Sequence, residues 1–396
     1  MKVLKKIVKS NYFLLKGFIY LLAIKELFGK KSIKQYFQNN NNQLIFYCSS
    51  YSHFDTVKSL LIKCEKSKYD VCLITSFELN KEDNNFKNVS VFDNFSIYVV
   101  SLFKADILIT AHVGFRKINQ PRNSKILHFL VSLTSLDGVY GKDTFDDCDY
   151  VICAGRHQID DFFRWKDDNR KLKGVTLIPG GYPKLDSQME YAKNLPRKKN
   201  DTLTVVYAPT HIYDVNKNLA SLREYGEDII KTLLELNYKV IFRPHPVSLN
   251  DRDKGLVQKI IKEYRGNNKF VLDDNKRYMD TYNQSDFMIT DLSGTGFTYS
   301  FTFEKPVIFF AHNISQEKKL TGIQYDNRED IGYVSRDIKG LKEASKNISH
   351  NMKIKEKSIL NYRKELIYNL NTSSNYCFDS IEKILKHKEN DDWITL

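Results

Sequence analysis

Short apolar runs alternate along the chain with stretches that repeat apolar residues at helical spacing. In the first half, strand-like runs lie at 43–50, 70–75, 88–92, 105–112, 125–132 and 149–155. The segment 53–66 carries apolar residues at helical spacing, and a further helix is expected at about 157–165. Strands that alternate with helices build parallel βαβ units. The first half therefore predicts a doubly wound parallel sheet.

A second alternating series follows the turn-rich segment 175–186 and the polar stretch 197–201. Its strand-like runs lie at 202–210, 238–246, 269–274, 287–292 and 306–311. Helices are expected at about 219–236, 254–264, 276–284 and 296–304, and in the Lys-rich end at about 340–387. A chain of 396 residues is long enough for two domains of ordinary size. We therefore expect an α/β protein with two Rossmann-like doubly wound lobes and an interlobe cleft.

In the first forty residues, a short apolar run lies between two groups of lysines. Four lysines precede the run at 12–24, three follow it, and Lys16 interrupts it. The run is shorter than the roughly 20 residues that span a bilayer, and no small-x-small cleavage site of a signal peptide follows. We expect a basic amphipathic helix that lies on an anionic membrane surface. A helix packed on the protein's own core is the alternative.

Basic residues outnumber acidic residues when the whole chain is counted. Lys and Arg number 61 against 48 Asp and Glu, which gives a formal charge of +13. Such an excess favours anionic partners, among them nucleotides, phosphorylated polymers and anionic lipids. No nucleic-acid-binding motif accompanies the excess, so we expect no nucleic-acid partner.

The sequence gives little support for a metal or another cofactor. The six cysteines form no C-x-x-C pair, which predicts buried, reduced thiols. The D-R-D sequence at 251–253 imitates a metal-binding motif, but it opens a helix, and helix capping explains it better. We expect no metal and no cofactor, with charge neutralised by Arg243, histidines and helix ends.

The candidate chemistry follows three strand-like runs of the second half. Polar residues come where these runs end, and ligands of open α/β sheets bind outside the carboxyl ends of strands. The residues are Thr210, Arg243, His245, Asp291, Ser293 and Thr295, with Gly294 at the start of the last helix. A helix start offers unpaired N–H groups and the positive end of the helix dipole to a phosphate. The pattern predicts one site for an anionic substrate that carries a nucleotide.

Each of these side chains also has a structural interpretation. His245 stands between two prolines and can simply hydrogen-bond to the backbone. The hydroxyls of Ser293 and Thr295 can cap the helix, which is compatible with binding phosphate. Asp291 would repel a phosphate, so it orients a histidine, binds a ribose or polyol hydroxyl, or stabilises a turn. Thr210 either binds the donor or serves as a turn hydroxyl.

Five blocks in order resemble the CDP-glycerol glycerophosphotransferase family of teichoic acid polymerases. They are HFLVSLTSLDGVYGKDTFDDCDYVICAG at 128–155, GYPKLD at 181–186, YAPT at 207–210, RPHP at 243–246 and SDFMITDLSGTGFTYSFTFEKPVIFF at 285–310. The resemblance implies a GT-B-type fold and an enzyme that transfers glycerol phosphate or ribitol phosphate from a CDP-linked donor. The acceptor would be a hydroxyl of a surface glycan or a teichoic-acid-like or capsular polymer, and CMP would be released.

The resemblance also implies one catalytic histidine in each lobe. His245 matches the C-terminal one, and His128 is the candidate for the N-terminal one, as the base that takes the acceptor proton. His112 is the rival base, because it ends a strand-like run, whereas for His128 the alternative is a core histidine. The histidines at 53, 157 and 211 have no comparable setting, and we expect Asp186 to shape a turn.

These observations suggest four segments. They are a membrane-surface helix (1–37), a Rossmann-like acceptor lobe (38–190), a nucleotide-donor lobe (200–340) and a C-terminal helical segment near the lobe junction (341–396). We expect a peripheral protein on the cytoplasmic face of the bacterial membrane. The rivals are a GT-B glycosyltransferase using a nucleotide sugar, an epimerase of the same fold, and an inactive membrane-docked scaffold. The glycosyltransferase is disfavoured by RPHP with the TDLSGT loop and by the lack of a clear glutamate that would grip a donor ribose, for which Glu304 is the nearest candidate.

Overall fold

The computed structural model describes most of the chain and divides it into two compact units. The described residues are 12–29, 41–112, 115, 119–137, 139–141, 143–167, 172, 174–196, 201–211, 218–250, 253–275, 278–317 and 321–396. Unit 1 is drawn from Met1–Val131, Gly138–Asp186 and Ile367–Leu396, and unit 2 from Ser132–Asp137 and Ser187–Leu366. The residues after 340, expected as a single segment, thus divide between the two units.

The strands within the described ranges are β1 Leu44–Cys48, β2 Val71–Thr75, β3 Val89–Phe92, β4 Ile107–Thr110, β5 Lys125–Phe129, β6 Tyr150–Ile152, β7 Thr176–Ile178, β8 Thr204–Tyr207, β9 Lys239–Phe242, β10 Phe270–Leu272, β11 Phe287–Thr290, β12 Val307–Phe310, β13 Gly332–Ser335 and β14 Ile394–Thr395. The strand-like runs of the sequence all contain one of these strands.

The helices within the same ranges are α1 Tyr12–Gly29, α2 Tyr51–Glu65, α3 Ile97–Val100, α4 Arg156–Asp167, α5 Pro183–Lys193, α6 Leu222–Glu235, α7 Pro246–Asn250, α8 Lys254–Tyr264, α9 Met279–Gln284, α10 Thr295–Phe303, α11 Ile314–Glu317, α12 Ile323–Asp326, α13 Arg328–Ile331, α14 Ile338–Leu366 and α15 Ser373–Leu385. The chain leaves helical geometry at Asn351 inside α14.

The sheet of unit 1 has the order β14-β7-β6-β5-β4-β1-β2-β3. Its strand pairs are parallel except for β14, which runs antiparallel to β7. The central strands are buried apolar runs such as LIFYC and VCLIT, as expected for parallel strands covered on both faces. Helices α2 and α15 share one apolar core with this sheet through residues such as Phe54, Leu61 and Ile381.

The sheet of unit 2 is parallel throughout and has the order β10-β9-β8-β11-β12-β13. Ile229 and Leu233 of α6 and Ile260 of α8 lie in its core. The segment Ser132–Asp137 also belongs to this unit, where Ser135 N donates to Gln324 Oε1 at 3.0 Å. The predicted α/β fold with two Rossmann-like parallel sheets is confirmed. Strands β13 and β14 were not predicted, and β7 lies in the segment that was expected to be turn-rich.

Helix α1 packs against its own unit. Ile19, Ala23 and Leu27 are buried on one face, and Ser96 N donates to Glu26 Oε1 at 2.8 Å. The alternative of a helix packed on the protein's own core is therefore the one observed for this face. Among the described residues, no helix is both long and apolar enough to cross a membrane. The lysine-rich residues 1–11 and 30–37 lie outside the described residues.

Candidate functional site

Three neighbouring strands bring the predicted polar residues of unit 2 to one edge of its sheet. Strand β8 lies between β9 and β11, and all three run parallel. Their carboxyl ends lead into Thr210, Arg243 and Asp291, so the expected meeting of the three strand ends is confirmed. This edge is the usual ligand-binding position of open α/β sheets.

Asp291 holds the loops at this edge together by hydrogen bonds. Its carboxylate accepts hydrogen bonds from Thr210 N at 3.0 Å, Leu292 N at 2.7 Å, Ser221 N at 2.8 Å and Ser221 Oγ at 2.9 Å. Only 1% of the residue is exposed. A carboxylate has about four acceptor sites, so unit 2 itself uses those of Asp291. The geometry supports the loop-stabilising interpretation rather than contact with a ligand hydroxyl.

Arg243 follows β9 and is held in place by an ion pair. Its Nη1 lies 2.6 Å from Asp273 Oδ2, and its Nη2 donates to Asn275 O at 2.8 Å. The guanidinium also lies 5.9 Å from the ring centre of Tyr278. These contacts fix the side chain and compensate part of its charge, and they leave further N–H groups of the five that a guanidinium carries.

His245 is stacked on His211, and its proton position is set by the backbone. The ring centres are 4.1 Å apart, and Val247 N donates to His245 Nδ1 at 3.2 Å. A nitrogen that accepts this bond carries no proton, so neutral His245 has its proton on Nε2. The pKa of His245 is lowered to about 4, first by desolvation of its partly exposed ring and then by His211 and Arg243. His245 is therefore a neutral hydrogen-bond donor at pH 7. We expected His211 to lack a setting comparable to that of the candidate catalytic histidines. This was wrong, because His211 stacks on His245.

The N-terminus of α10 is surrounded by hydroxyl groups. Thr295 N donates to Ser293 Oγ at 3.1 Å, and Ser132 Oγ lies 2.8 Å from Thr134 Oγ1. A Cβ atom on Gly294 would lie 2.8 Å from Ser132 Oγ and 2.9 Å from Thr134 Cγ2. The absence of a side chain at 294 therefore lets the hydroxyls of Ser132 and Thr134 reach the helix start. Sequence reasoning missed both residues, although S-L-T-S at 132–135 was a visible signal.

Unit 1 contains a second polar cluster, formed by Ser49, His53 and His112. Ser49 follows β1, His112 follows the neighbouring strand β4, and His53 lies in the first turn of α2. Ser49 Oγ is 3.0 Å from His53 Nδ1 and 2.8 Å from His112 Nδ1. His112 thus ends a strand as expected. The expectation that His53 has no comparable setting was wrong, because a serine 4 positions earlier along the chain links it to His112.

Both histidines of this cluster are neutral near pH 7. Burial first, then His112 and Lys184, lower the pKa of His53 to about 4. Burial also lowers the pKa of His112. A neutral imidazole keeps one nitrogen lone pair and can accept a proton. The cluster can therefore act as a base.

His128 lies inside unit 1, not at the edge of its sheet. It pairs with Val151 and Thr110 in the middle of the sheet and is 1% exposed. Its ring packs edge-on against Phe145 at 5.3 Å, and Nε2 has no hydrogen-bond partner among the described residues. Burial first, then His53 and His112, lower its pKa to about 3. These features fit the core-histidine alternative and not direct contact with an acceptor.

Three other acidic residues named in the sequence analysis make hydrogen bonds or ion pairs within their own unit. Asp186 accepts hydrogen bonds from Asn371 N at 2.8 Å and Ser373 N at 2.9 Å. Glu304 pairs with Arg363 at 3.0 Å, so it is not available to grip a ribose. Asp253 precedes α8, but its carboxylate pairs with Arg223 at 2.9 Å instead of capping the helix. Asp251 and Arg252 lie outside the described residues. The part of the chain that the structure describes has no group of three or more metal-ligating side chains.

Comparison with known proteins gives matches over most of the chain. The family model of CDP-glycerol:poly(glycerophosphate) glycerophosphotransferases matches residues 31–383. The minor teichoic acid biosynthesis protein GgaB of Bacillus subtilis (strain 168) is 25% identical over 170 residues, which are 40% of this chain and 18% of GgaB. The chain thus spans much less than two thirds of that relative.

Solved structures share the fold. The wall teichoic acid polymerase TagF superposes with a TM-score of 0.60 at 19% identity, over 94% of this chain and 98% of the TagF chain. A UDP-GlcNAc 2-epimerase from Methanocaldococcus jannaschii, in complex with UDP-GlcNAc and UDP, gives a TM-score of 0.57 at 12% identity, over 87% and 99% of the two chains. Both have GT-B-type folds, so the predicted fold class is confirmed.

Proposed function

Because the chain belongs to the CDP-glycerol:poly(glycerophosphate) glycerophosphotransferase family, we propose that it transfers glycerol phosphate from CDP-glycerol to a hydroxyl group of a teichoic-acid-type polymer and releases CMP. The observation that carries this proposal is the N-terminus of α10, where Ser132, Thr134 and Ser293 place hydroxyls beside the backbone N–H groups of the helix start. Such a helix start suits the diphosphate of a nucleotide-linked donor.

In the proposed reaction, unit 2 binds the donor. The acceptor oxygen attacks the phosphorus that carries glycerol, a new P–O bond forms, and the bond from this phosphorus to the oxygen of CMP breaks. Negative charge on the phosphoryl oxygens is stabilised by Nε2–H of His245, by Arg243 and by the α10 N-terminus. These groups are fixed before the substrate binds, as rate enhancement by positioning requires.

Incubation with a donor panel tests this function. We expect CMP release from CDP-glycerol, dependent on a poly(glycerophosphate) acceptor, and no nucleotide release from UDP-GlcNAc. Faster turnover of CDP-ribitol would change the polyol but keep the reaction. UDP or UMP release from a sugar nucleotide would instead support the glycosyltransferase alternative, and no turnover with any donor would support the scaffold.

We also propose that α1 lies on the cytoplasmic face of the cell membrane. On the side away from its buried face, Phe18, Leu21 and Phe28 are exposed by 46%, 67% and 60%. The exposed Lys16 and Lys25 lie on the same helix. Apolar side chains flanked by lysines suit an interface with anionic lipid, where each basic residue contributes about 1 kcal/mol.

Vesicle binding tests this orientation. Leu21→Asp combined with Phe28→Asp is expected to abolish most binding to phosphatidylglycerol vesicles while soluble-donor turnover persists, because the buried face of α1 is untouched. The matched control is Ile354→Asp on α14, since Ile354 is also exposed, by 68%. Equal vesicle binding by the α1 variant and the wild type would refute the membrane contact.

A further inference from the structure

The two histidines of unit 1 meet at one serine hydroxyl, and both use the same ring atom. Ser49 Oγ lies 3.0 Å from Nδ1 of His53 and 2.8 Å from Nδ1 of His112. A hydroxyl has one proton to donate. It can therefore donate to only one of the two Nδ1 atoms and must accept from the other.

This requirement gives the neutral rings opposite proton patterns. The ring whose Nδ1–H donates to Ser49 has a bare Nε2 and is a base at that atom. The other ring accepts at Nδ1 and carries its proton on Nε2. Rotation of the serine hydroxyl together with a shift of protons exchanges the two patterns. The cluster thus has one basic Nε2 and one protonated Nε2 at any time.

We propose that Ser49 couples His53 and His112 into a single proton-accepting unit that removes the proton of the acceptor hydroxyl. This proposal rests on the proposed transferase function. The acceptor O–H bond breaks and an N–H bond forms at the basic Nε2. The Nδ1 proton of that ring then passes to Ser49 Oγ, and the serine proton passes to Nδ1 of the other ring. The positive charge moves to the second imidazole, which releases a proton to water from its Nε2.

The surroundings limit the pair to one added proton. The ring centres of His53 and His112 are 5.8 Å apart, so two imidazolium charges would repel each other. Lys184 on α5 adds a further cation, and its Nζ lies 3.9 Å from Asp55 Oδ2 on α2. Tyr47 of β1 packs edge-on against His112 at 5.7 Å, and neutral His128 of β5 lies on the sheet nearby. Interacting sites of this kind titrate as a pair.

Variants of Ser49 separate coupling from simple packing. Ser49→Ala removes the bridge and is expected to lower kcat for transfer about 10- to 100-fold. This is less than most of the roughly 10²- to 10⁴-fold that general base catalysis contributes, because both histidines remain. The KM for CDP-glycerol should stay unchanged. Ser49→Thr keeps the hydroxyl and should recover most of the activity. The control is Ser59→Ala on α2. It also removes a serine hydroxyl that is hydrogen-bonded to another side chain, at 2.8 Å from Ser374 Oγ, but it lies outside the cluster.

Nuclear magnetic resonance of histidine nitrogens supplies a readout that does not depend on turnover. In the wild type, His53 and His112 should titrate as a coupled pair that takes up one proton before the second. In Ser49→Ala, the two rings should titrate with altered midpoints. Wild-type kcat, pH profile and histidine titration in Ser49→Ala would overturn the proposal. If the wild type fails to turn over any donor but shows the coupled titration, the transferase function is wrong and the coupling stands.

Discussion

Each unit pairs two histidines, but the pairs are built differently. In unit 1, Ser49 links His53 and His112 through their Nδ1 atoms. In unit 2, His211 and His245 stack face to face at 4.1 Å, and the backbone N–H of Val247 fixes the proton of His245 on Nε2. The first pair has a proton path and a free basic nitrogen. The second presents a fixed donor.

The difference indicates opposite tasks for residues of one type. A fixed Nε2–H beside Arg243 and the α10 N-terminus suits stabilisation of phosphoryl oxygens. A bridged pair that is neutral near pH 7 keeps a nitrogen lone pair, which is available to accept a proton. The local hydrogen bonds, not the presence of histidine, therefore separate the two proposed roles.

Replacement of His245 is expected to have the largest effect. His245→Ala removes the Nε2–H donor and should lower kcat about 10²- to 10³-fold, as for loss of one transition-state donor. His245→Gln places an amide N–H near the same position and should retain more activity than the alanine variant. CMP release at saturating CDP-glycerol measures both. Equal rates of the two variants would show that the donor hydrogen bond is not what His245 contributes.

Gly294→Ala tests the donor-binding role of unit 2 without changing a charge. The added methyl group would meet Ser132 and Thr134 at under 3 Å and push their hydroxyls from the start of α10. We expect about tenfold weaker binding of CDP-glycerol, or about 1.4 kcal/mol. The control is Gly255→Ala in α8, where the added Cβ would meet no heavy atom within 4 Å other than those of its chain neighbours and of the backbone of its own helix. An unchanged Kd for Gly294→Ala would exclude this helix start from the donor site.

His128→Leu tests whether the buried histidine of unit 1 takes part in catalysis. Because Nε2 of His128 is buried without a partner among the described residues, an apolar side chain should raise the free energy of unfolding by about 1 kcal/mol. Activity should stay within twofold of the wild type. Urea unfolding and CMP release measure the two quantities. A hundredfold loss of kcat in a folded variant would restore His128 as the base.

The same variant should change the pH dependence of stability. The pKa of His128 is about 3 in the folded protein and near its ordinary value when unfolded. Between these values the unfolded chain binds the extra proton, so stability falls as pH decreases below about 6.5. His128→Leu should flatten this slope by at most about 1.4 kcal/mol per pH unit. Parallel stability curves for the variant and the wild type would contradict the lowered pKa.

The sequence predicted the two sheets well, because their strands are continuous apolar runs that end in turn residues. It also located His245 and the α10 start, since both follow such strands directly. It could not pair His53 with His112, which meet only because β1 and β4 are neighbours in the sheet. Nor could it assign Ser132 and Thr134 to unit 2, because they follow a strand of unit 1. The spacing of apolar residues predicts which face of a helix or strand is buried and where the element ends. The contacts of these residues depend instead on the order of strands in the sheet and on which unit each segment of the chain joins.

Titration calorimetry with CDP-glycerol tests the division of roles most directly. Wild type, Ser49→Ala and Gly294→Ala would be compared under one set of conditions. The account predicts that Ser49→Ala binds within twofold of the wild type, although its transfer rate falls, and that Gly294→Ala binds about tenfold more weakly. Weakened binding in Ser49→Ala together with unchanged binding in Gly294→Ala would contradict it.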